Sequence, residues 1–225
     1  MRVRDMVRTA ATAGLAVFAV GTSTVVNAAG PAEINPWSRL KGEPPALSLE
    51  DTSFAGKRAD VTANVHVNGS RNDWIRSGSL TVAEPNITLM ISRLTDPKPV
   101  VQSVIDSLDL IDEIKMAQRR YRPSYYAMTT RFGELRGVMF DVDADGIRKY
   151  CVGFHKPAVD PIFVKGYICA PSLAQAAPQD VACLIDKIRH TNIPRLDTAD
   201  AVACGAVRLD PDNPPAGQPT AADRL

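Results

Sequence analysis

The sequence predicts an α+β domain with a mostly antiparallel sheet, two main helices and a disulfide-stabilised carboxyl-terminal part. Three observations support this: two groups of short alternating apolar and polar runs, two segments with helical spacing, and four cysteines in the last third of the chain. The chain has 225 residues, of which 45% are apolar and 23% charged, which suits one ordinary domain. We expect that single domain to occupy residues 55–205.

The amino terminus has the pattern of a secretory signal peptide. Three arginines precede an apolar run over residues 9–20, and small residues at Val26 and Ala28 suit a signal peptidase. We therefore expect residues 1–28 to be removed after Ala28. The apolar run is too short to span a bilayer. We expect the mature chain not to span a membrane and to be periplasmic or secreted.

Proline-rich segments flank the predicted domain. Residues 29–54 and 206–225 each contain four prolines and few periodic apolar positions. We predict an extended leader over the first segment, with Trp37 and Leu40 docking on the domain, and a disordered tail over the second.

The first half of the domain is predicted to be β-structure. Residues 61–67 alternate between apolar and polar positions, and Asn68-Gly69 then supplies a favoured pair for a tight hairpin turn. Further alternating runs lie at 80–82 and 87–91, and each predicts a strand.

Two segments have helical spacing. The first is predicted to begin at Asp96, with Pro97 in its first turn, and to end at Arg122. The second is predicted to begin near Pro178 and to end at Thr191. Their periodic apolar positions are Val101, Val104, Ile105, Leu108 and Ile111 in the first, and Val181, Leu184, Ile185 and Ile188 in the second.

A second group of strands is predicted over 125–132, 138–142, 148–154 and 162–169. For the turn at 144–146 we predict a three-residue loop, which pairs Asp141 with Lys149. A two-residue loop would put Phe140 opposite Cys151 and mix polar with apolar positions on one face.

The cysteines predict two disulfides. A turn near Asp160 would set Cys151 opposite Cys169, whereas Cys183 points away from the apolar stripe of the last helix, towards a segment carrying Cys204. These faces favour Cys151–Cys169 and Cys183–Cys204, although four cysteines allow three connectivities. Zinc sites usually include a Cys-x-x-Cys pair, and the sequence has none.

No cofactor or metal is expected. Residues 141–146 resemble the opening of a calcium-binding loop, but Arg148 and Val152 stand where an apolar residue and a bidentate Glu are needed. We interpret the segment as a turn.

Two clusters are candidates for a binding surface. His155, Lys165 and Tyr167 share one face of the predicted sheet, and His155 is the best candidate for a general base. The second cluster combines stacking and cationic side chains that suit an anionic partner. It consists of Arg119, Arg120, Arg122 and Tyr125.

The runs 151–154, 166–169 and 182–186 (CVGF, GYIC and ACLID) resemble small exported proteins of alphaproteobacteria with this cysteine pattern. The resemblance covers about a third of the chain; it implies a periplasmic location and no particular activity. No set of acid, base and nucleophile can be traced. We therefore expect a non-catalytic binding module whose partner is an envelope protein or an anionic envelope component. The alternative is a small hydrolase or transferase that uses His155.

The charge balance excludes one class of partner. The chain has 26 basic and 25 acidic residues, so it lacks the excess of positive charge typical of a nucleic-acid binder.

Overall fold

A nine-stranded antiparallel sheet organises the molecule. The computed structural model describes residues 37–41, 46–49, 60–96, 103–156, 161–193, 204 and 206–210, all within the compact unit Asn35–Leu225. The predicted signal peptide, the first turn of the first predicted helix from Pro97 onward and the turn near Asp160 lie outside these residues. Among the described residues, no helix has the length and apolar character needed to cross a membrane.

The elements follow one another in a simple order along the chain. The strands are β1 Trp37–Arg39, β2 Leu47–Leu49, β3 Asp60–His66, β4 Arg71–Ser77, β5 Asn86–Arg93, β6 Gln118–Thr130, β7 Gly133–Ala144, β8 Ile147–His155, β9 Ile162–Ala170, β10 Ile188–His190 and β11 Val207–Leu209. The helices are α1 Val104–Leu108, α2 Asp112–Met116 and α3 Pro178–Asp186. The strand order in the large sheet is β1-β3-β4-β5-β9-β8-β7-β6-β11, and β2 pairs with β10 in a separate two-stranded ribbon.

The sheet is covered on both faces, so it carries two hydrophobic clusters. On the first, here the α1 face, α1 packs on β7, β8 and β9, and Leu108 lies against Gly153, where a Cβ atom would come within 2.3 Å of it. On the second, the α3 face, α3 and Leu47 of β2 pack with apolar side chains of the central strands. The central strands are therefore buried on both sides. A polar side chain in these strands needs a hydrogen-bond partner within the protein interior.

The predicted antiparallel sheet and the pairing of β8 with β9 are confirmed. Cys151 lies opposite Cys169 and Val152 opposite Ile168. Both proposed disulfides form: Cys151–Cys169 within the sheet and Cys183–Cys204 between α3 and the carboxyl-terminal segment. The proportion of sheet is higher than an even α+β mixture, because the described helices have only five, five and nine residues.

The predicted strand at 80–82 is wrong, and β4 was not predicted. Residues 80–82 form turns and bends, although Leu80 is buried. Strand β4 comes earlier in the chain, at Arg71–Ser77. The inward side of β4 begins with Arg71 and Asp73, which are buried as an ion pair. Because the partners are charged, the strand lacks the apolar alternation by which a sequence reveals a half-buried strand.

The single long helix predicted before Arg122 is replaced by two short helices and a strand. Ser103 and Asp106 form a capping box that starts α1. Ala117 has an extended backbone, so α2 ends before it and the chain enters β6. Arg119 and Arg120, which the predicted helix would include, therefore lie on a strand that pairs with β7.

The hairpin between β7 and β8 has a two-residue loop, not the predicted three-residue loop. Asp145 and Gly146 both have positive φ, 53° and 78°, as a type I′ turn requires. Phe140 consequently lies opposite Cys151. The prediction placed Lys149 on the polar face beside Asp141, whereas Lys149 is buried among apolar neighbours on the α1 face and Asp143 and Arg148 lie on the more exposed face.

The predicted last helix begins at Pro178 as expected but ends at Asp186 rather than Thr191. Ile188 belongs to β10, where it pairs with Leu49. Three strands come from segments assigned to the leader and the tail: β1 pairs with β3, β2 with β10, and β11 with β6.

Lys149 holds the loop between β4 and β5 on the α1 face. Its side chain is fully buried, and Nζ donates to the carbonyl oxygens of Ser79 and Glu84 and to Oδ1 of Asn86 at 2.5, 2.6 and 2.8 Å. Three donors thus meet three acceptors, which compensates the desolvation of the ammonium group.

We expect Lys149→Met to lower the free energy of unfolding by about 3 kcal/mol, because it leaves buried oxygen acceptors unpaired. Urea unfolding monitored by circular dichroism measures the change. Arg148→Met is the matched control, since the Arg148 side chain is 66% exposed on the same strand. An equal effect of both substitutions would contradict the role assigned to Lys149.

The two disulfides differ in exposure, so we expect them to differ in the rate of reduction. Cys151 and Cys169 are fully buried, whereas Cys204 is exposed. Dilute dithiothreitol under native conditions should open Cys183–Cys204 alone, since thiolate attack needs access to a sulfur atom. Alkylation followed by peptide mass spectrometry identifies the freed thiols, with urea-denatured protein as the control. Labelling of Cys151 as fast as Cys183 would contradict this.

Candidate functional site

The predicted cluster of His155, Lys165 and Tyr167 lies together on the α1 face. His155 is directly opposite Lys165 across β8 and β9, and it is directly opposite Arg136 of β7 on its other side. Arg136, His155 and Lys165 thus form one line across three neighbouring strands, which we call the donor row. The expectation that His155, Lys165 and Tyr167 share a face is confirmed, but this face is covered rather than solvated, and all three are buried.

His155 is held by helix α1. Its side chain is fully buried, and Nδ1 lies 2.8 Å from the Oγ atom of Ser107. Its Nε2 atom is also buried and has no hydrogen-bond partner among the described residues. Burial and the nearby positive charge of Arg136 lower the pKa of His155 to about 4, although Asp106 opposes the shift. The imidazole is therefore neutral at pH 7.

Tyr167 links the sheet to helix α2. Its hydroxyl donates to the Glu113 carboxylate, and the Thr88 hydroxyl lies 3.3 Å from it. Burial and this hydrogen bond to Glu113 raise the pKa of Tyr167 above its ordinary value. The phenol therefore stays protonated and acts as a structural donor.

Lys165 has the opposite character to Lys149. Its side chain is 7% exposed, and no hydrogen bond or ion pair to it is present among the described residues. Burial lowers its pKa to about 8. At neutral pH most molecules therefore carry an ammonium group at Lys165, and no carboxylate of the described residues pairs with it.

The basic cluster on β6 is divided and largely neutralised. Arg119 binds the Asp109 carboxylate and the Tyr121 hydroxyl, and Arg122 donates from Nε to Asp141 Oδ1 at 2.9 Å. Arg120 is exposed, whereas Tyr125 is buried. Arg119 and Arg120 are consecutive strand residues, so they point to opposite faces. The structure does not bring the four predicted residues onto one surface.

A buried His–Asp pair on the α3 face consists of the same residue types as many catalytic pairs. His190 Nε2 lies 3.0 Å from Asp73 Oδ2, and Arg71 Nε donates to both Asp73 oxygens at 2.9 Å. Although burial opposes ionisation, the hydrogen bonds from His190 and Arg71 lower the pKa of Asp73. The three side chains tie β10 to β4, which indicates a structural role.

One open pocket of about 580 Å³ lies at the end of the sheet. It is formed by the loop after β4, the junction of α2 with β6 and the turn between β7 and β8. Its lining residues are Gly78, Ser79, Leu80, Thr81, Glu113, Met116, Ala117, Gln118, Asp143, Ala144, Asp145 and Gly146. Three of these residues are acidic and none is basic. The pocket therefore combines negative charge with an apolar wall.

Comparisons with known proteins assign no role to these sites. No family model, curated protein or solved structure matches the chain. Within the described part of the chain, no group of three or more His, Cys, Asp or Glu residues is placed to hold a metal ion. The Asp residues of 141–146 belong to strand β7 and its turn.

Four residues that surround His155, Lys165 and Tyr167 were not predicted as site residues: Ser107, Glu113, Arg136 and Thr88. Arg136 could have been found, because a two-residue loop at Asp145-Gly146 places it opposite His155. Ser107 and Glu113 could not, because they reach the sheet from short helices whose packing depends on long-range contacts. The signal for them is absent from local periodicity.

The depressed pKa of His155 predicts an acid-labile contribution to stability. The unfolded chain binds a proton at His155 near pH 6.5, but the folded chain does so only near pH 4. Between these values the unfolded state binds more protons, so stability falls as the pH falls, by about 3 kcal/mol for this group. We expect His155→Gln to flatten the dependence of the unfolding free energy on pH between 7 and 4, measured with urea. His66→Gln, at the end of β3, is the control, and parallel profiles for wild type and His155→Gln would contradict the assignment.

Proposed function

We propose that the chain is an exported, non-catalytic binding module that uses the pocket at the end of the sheet. The observation that carries the proposal is the lining of this pocket: Glu113, Asp143 and Asp145 supply carboxylates, while Leu80 and Met116 supply apolar surface. Concave sites with an apolar wall and a few convergent polar groups are typical of ligand binding.

The charge of the pocket favours a partner with a cationic group beside an apolar one. Asp145 is exposed at the tip of the hairpin, and the only ion pair described for Asp143 is with Arg148 at 3.9 Å. Met116 is 84% exposed at the end of α2. A lysine or arginine side chain next to an aliphatic residue of an envelope protein would satisfy both features, since charge-assisted hydrogen bonds are the stronger ones.

Export is supported by two features. Two disulfides join all four cysteines, and disulfides persist in oxidising compartments. The amino-terminal pattern of positive, apolar and small residues is the second. A periplasmic or secreted location follows from this part of the proposal.

The alternative, a hydrolase or transferase that uses His155, is supported by the hydrogen bond between His155 and Ser107. A nucleophilic hydroxyl must reach the substrate, however, and both side chains are fully buried between α1 and the sheet. Binding at the open pocket requires no such rearrangement, so we favour it.

Titration with the peptide amide Lys-Leu-Lys, followed by nuclear magnetic resonance of the protein backbone, tests the proposal. We expect shifts at Leu80, Met116 and Asp145, and a dissociation constant that rises about fivefold or more in Asp143→Asn/Asp145→Asn as charge-assisted contacts are lost. Asn tolerates the positive φ at position 145.

Two controls accompany this titration. Glu134→Gln removes a carboxylate that is 52% exposed at the start of β7, the opposite end of that strand from the pocket, and should leave binding unchanged. The peptide amide Glu-Leu-Glu should not bind. Equal binding of both peptides, or no effect of the double substitution, would overturn the proposed site.

A further inference from the structure

The donor row contains polar groups that the fold leaves without acceptors. The Nε atom of Arg136 and the Nε2 atom of His155 are buried and lack hydrogen-bond partners among the described residues. Lys165 is more than nine-tenths buried and also lacks one there. Buried polar atoms are rarely left unpaired, so the two in Arg136 and His155, beside a lysine with no described partner, require an explanation.

The three side chains are neighbours by register. Each is directly opposite the next across an antiparallel pair, and such pairs have Cβ atoms about 5 Å apart. Arg136 is close enough to His155 for its positive charge to lower the pKa of the imidazole. The row is therefore compact enough for one small ligand to contact more than one member.

All three groups can act as donors. When the Ser107 hydroxyl donates to Nδ1 of His155, the neutral imidazole carries its proton on Nε2, which then points away from Ser107 as a donor. Arginine and lysine have no acceptor atoms. A group that satisfies the row must therefore supply acceptor oxygens, and the net positive charge favours an anion.

The acidic residues nearby are already engaged. Asp106 of α1 accepts from the backbone N–H and the hydroxyl of Ser103, at 3.1 and 2.8 Å. Glu113 of α2 accepts from Tyr167. Asp210 lies 3.9 Å from Arg136 Nε, too far for a hydrogen bond. None of these carboxylates compensates Lys165.

The row has an approach from solvent. The Arg136 side chain is 40% exposed, whereas His155 next to it is fully buried and Lys165 is 7% exposed. Beyond Lys165 the row continues into Met90, which is apolar and buried. An anion would thus enter at Arg136 and stop at Lys165.

We propose that Arg136, His155 and Lys165 form a binding site for a small oxyanion, a carboxylate or phosphate group. Lys165 and Arg136 flank the anion with charge, and His155 donates from Nε2 between them. The site uses none of the residues that line the acidic pocket, so its existence does not depend on the function proposed above.

Titration of the protein with sodium phosphate, and separately with sodium acetate, at constant ionic strength tests this site. Nuclear magnetic resonance of the histidine side chains reports directly on Nε2 of His155. We expect a saturable shift of that nitrogen with at least one of the two anions. The two arms distinguish a phosphate from a carboxylate site.

Lys165→Met should weaken the binding of that anion at least tenfold, because a charge-assisted contact is lost. Arg136→Gln, at the exposed end of the row, provides a second variant that perturbs the interior less and should also weaken binding. Lys115→Met removes an exposed lysine from α2 and should leave the affinity unchanged.

Stability without added anion supplies an independent readout. Lys165→Met should be at least as resistant to urea as the wild type in chloride buffer, since it replaces an uncompensated buried charge with an apolar group of similar shape. Lys149→Met, whose ammonium has three acceptors, should be less resistant than the wild type. The proposal is overturned if neither anion shifts His155, if Lys165→Met binds as tightly as the wild type, or if Lys165→Met is destabilised as much as Lys149→Met.

Discussion

Burial of the central strands on both faces is the constraint on which the rest of the structure depends. A sheet with one wet face can direct its polar side chains to water, whereas β5, β7, β8 and β9 have cover above and below. Each inward polar group must therefore find its partner within the fold. Lys149 finds three oxygens, Tyr167 finds Glu113, and Asp73 finds His190 and Arg71. Lys165 stands out because it finds none among the described residues.

This constraint also explains how far the sequence could predict the fold. Features set by near neighbours were predicted: Pro178 at the start of α3, and the period-two alternation that brings Cys151 to Cys169 and His155 to the side of Lys165 and Tyr167. The two-residue loop at Asp145 was not predicted because it places Lys149 among apolar side chains, and the oxygens that bind Lys149 there come from a loop distant in the chain. Strand β4 was missed because its inward positions hold an ion pair instead of apolar residues.

The sequence predicts which residues of the candidate site lie together, but it does not predict whether they are buried or which residues contact them. Periodicity places side chains on a face, yet it cannot say what covers that face. Ser107 and Glu113 arrive from α1 and α2, and their contacts convert an expected solvated surface into an interior. Arg119 and Arg122 similarly looked free along the chain but meet Asp109 and Asp141 in the fold. Charge that is balanced in the composition is therefore distributed unevenly in space, with carboxylates around the pocket and donors beneath α1.

The Cys183–Cys204 bridge has a consequence for the integrity of the chain. It closes a loop between α3 and the residues just before β11, and β11 pairs with only three positions of the long strand β6. If a protease cuts a peptide bond inside that loop, the last strand remains covalently tethered to α3. A nicked molecule would then migrate as a single species on a non-reducing gel and separate into two pieces only after its sulfur bridge is opened.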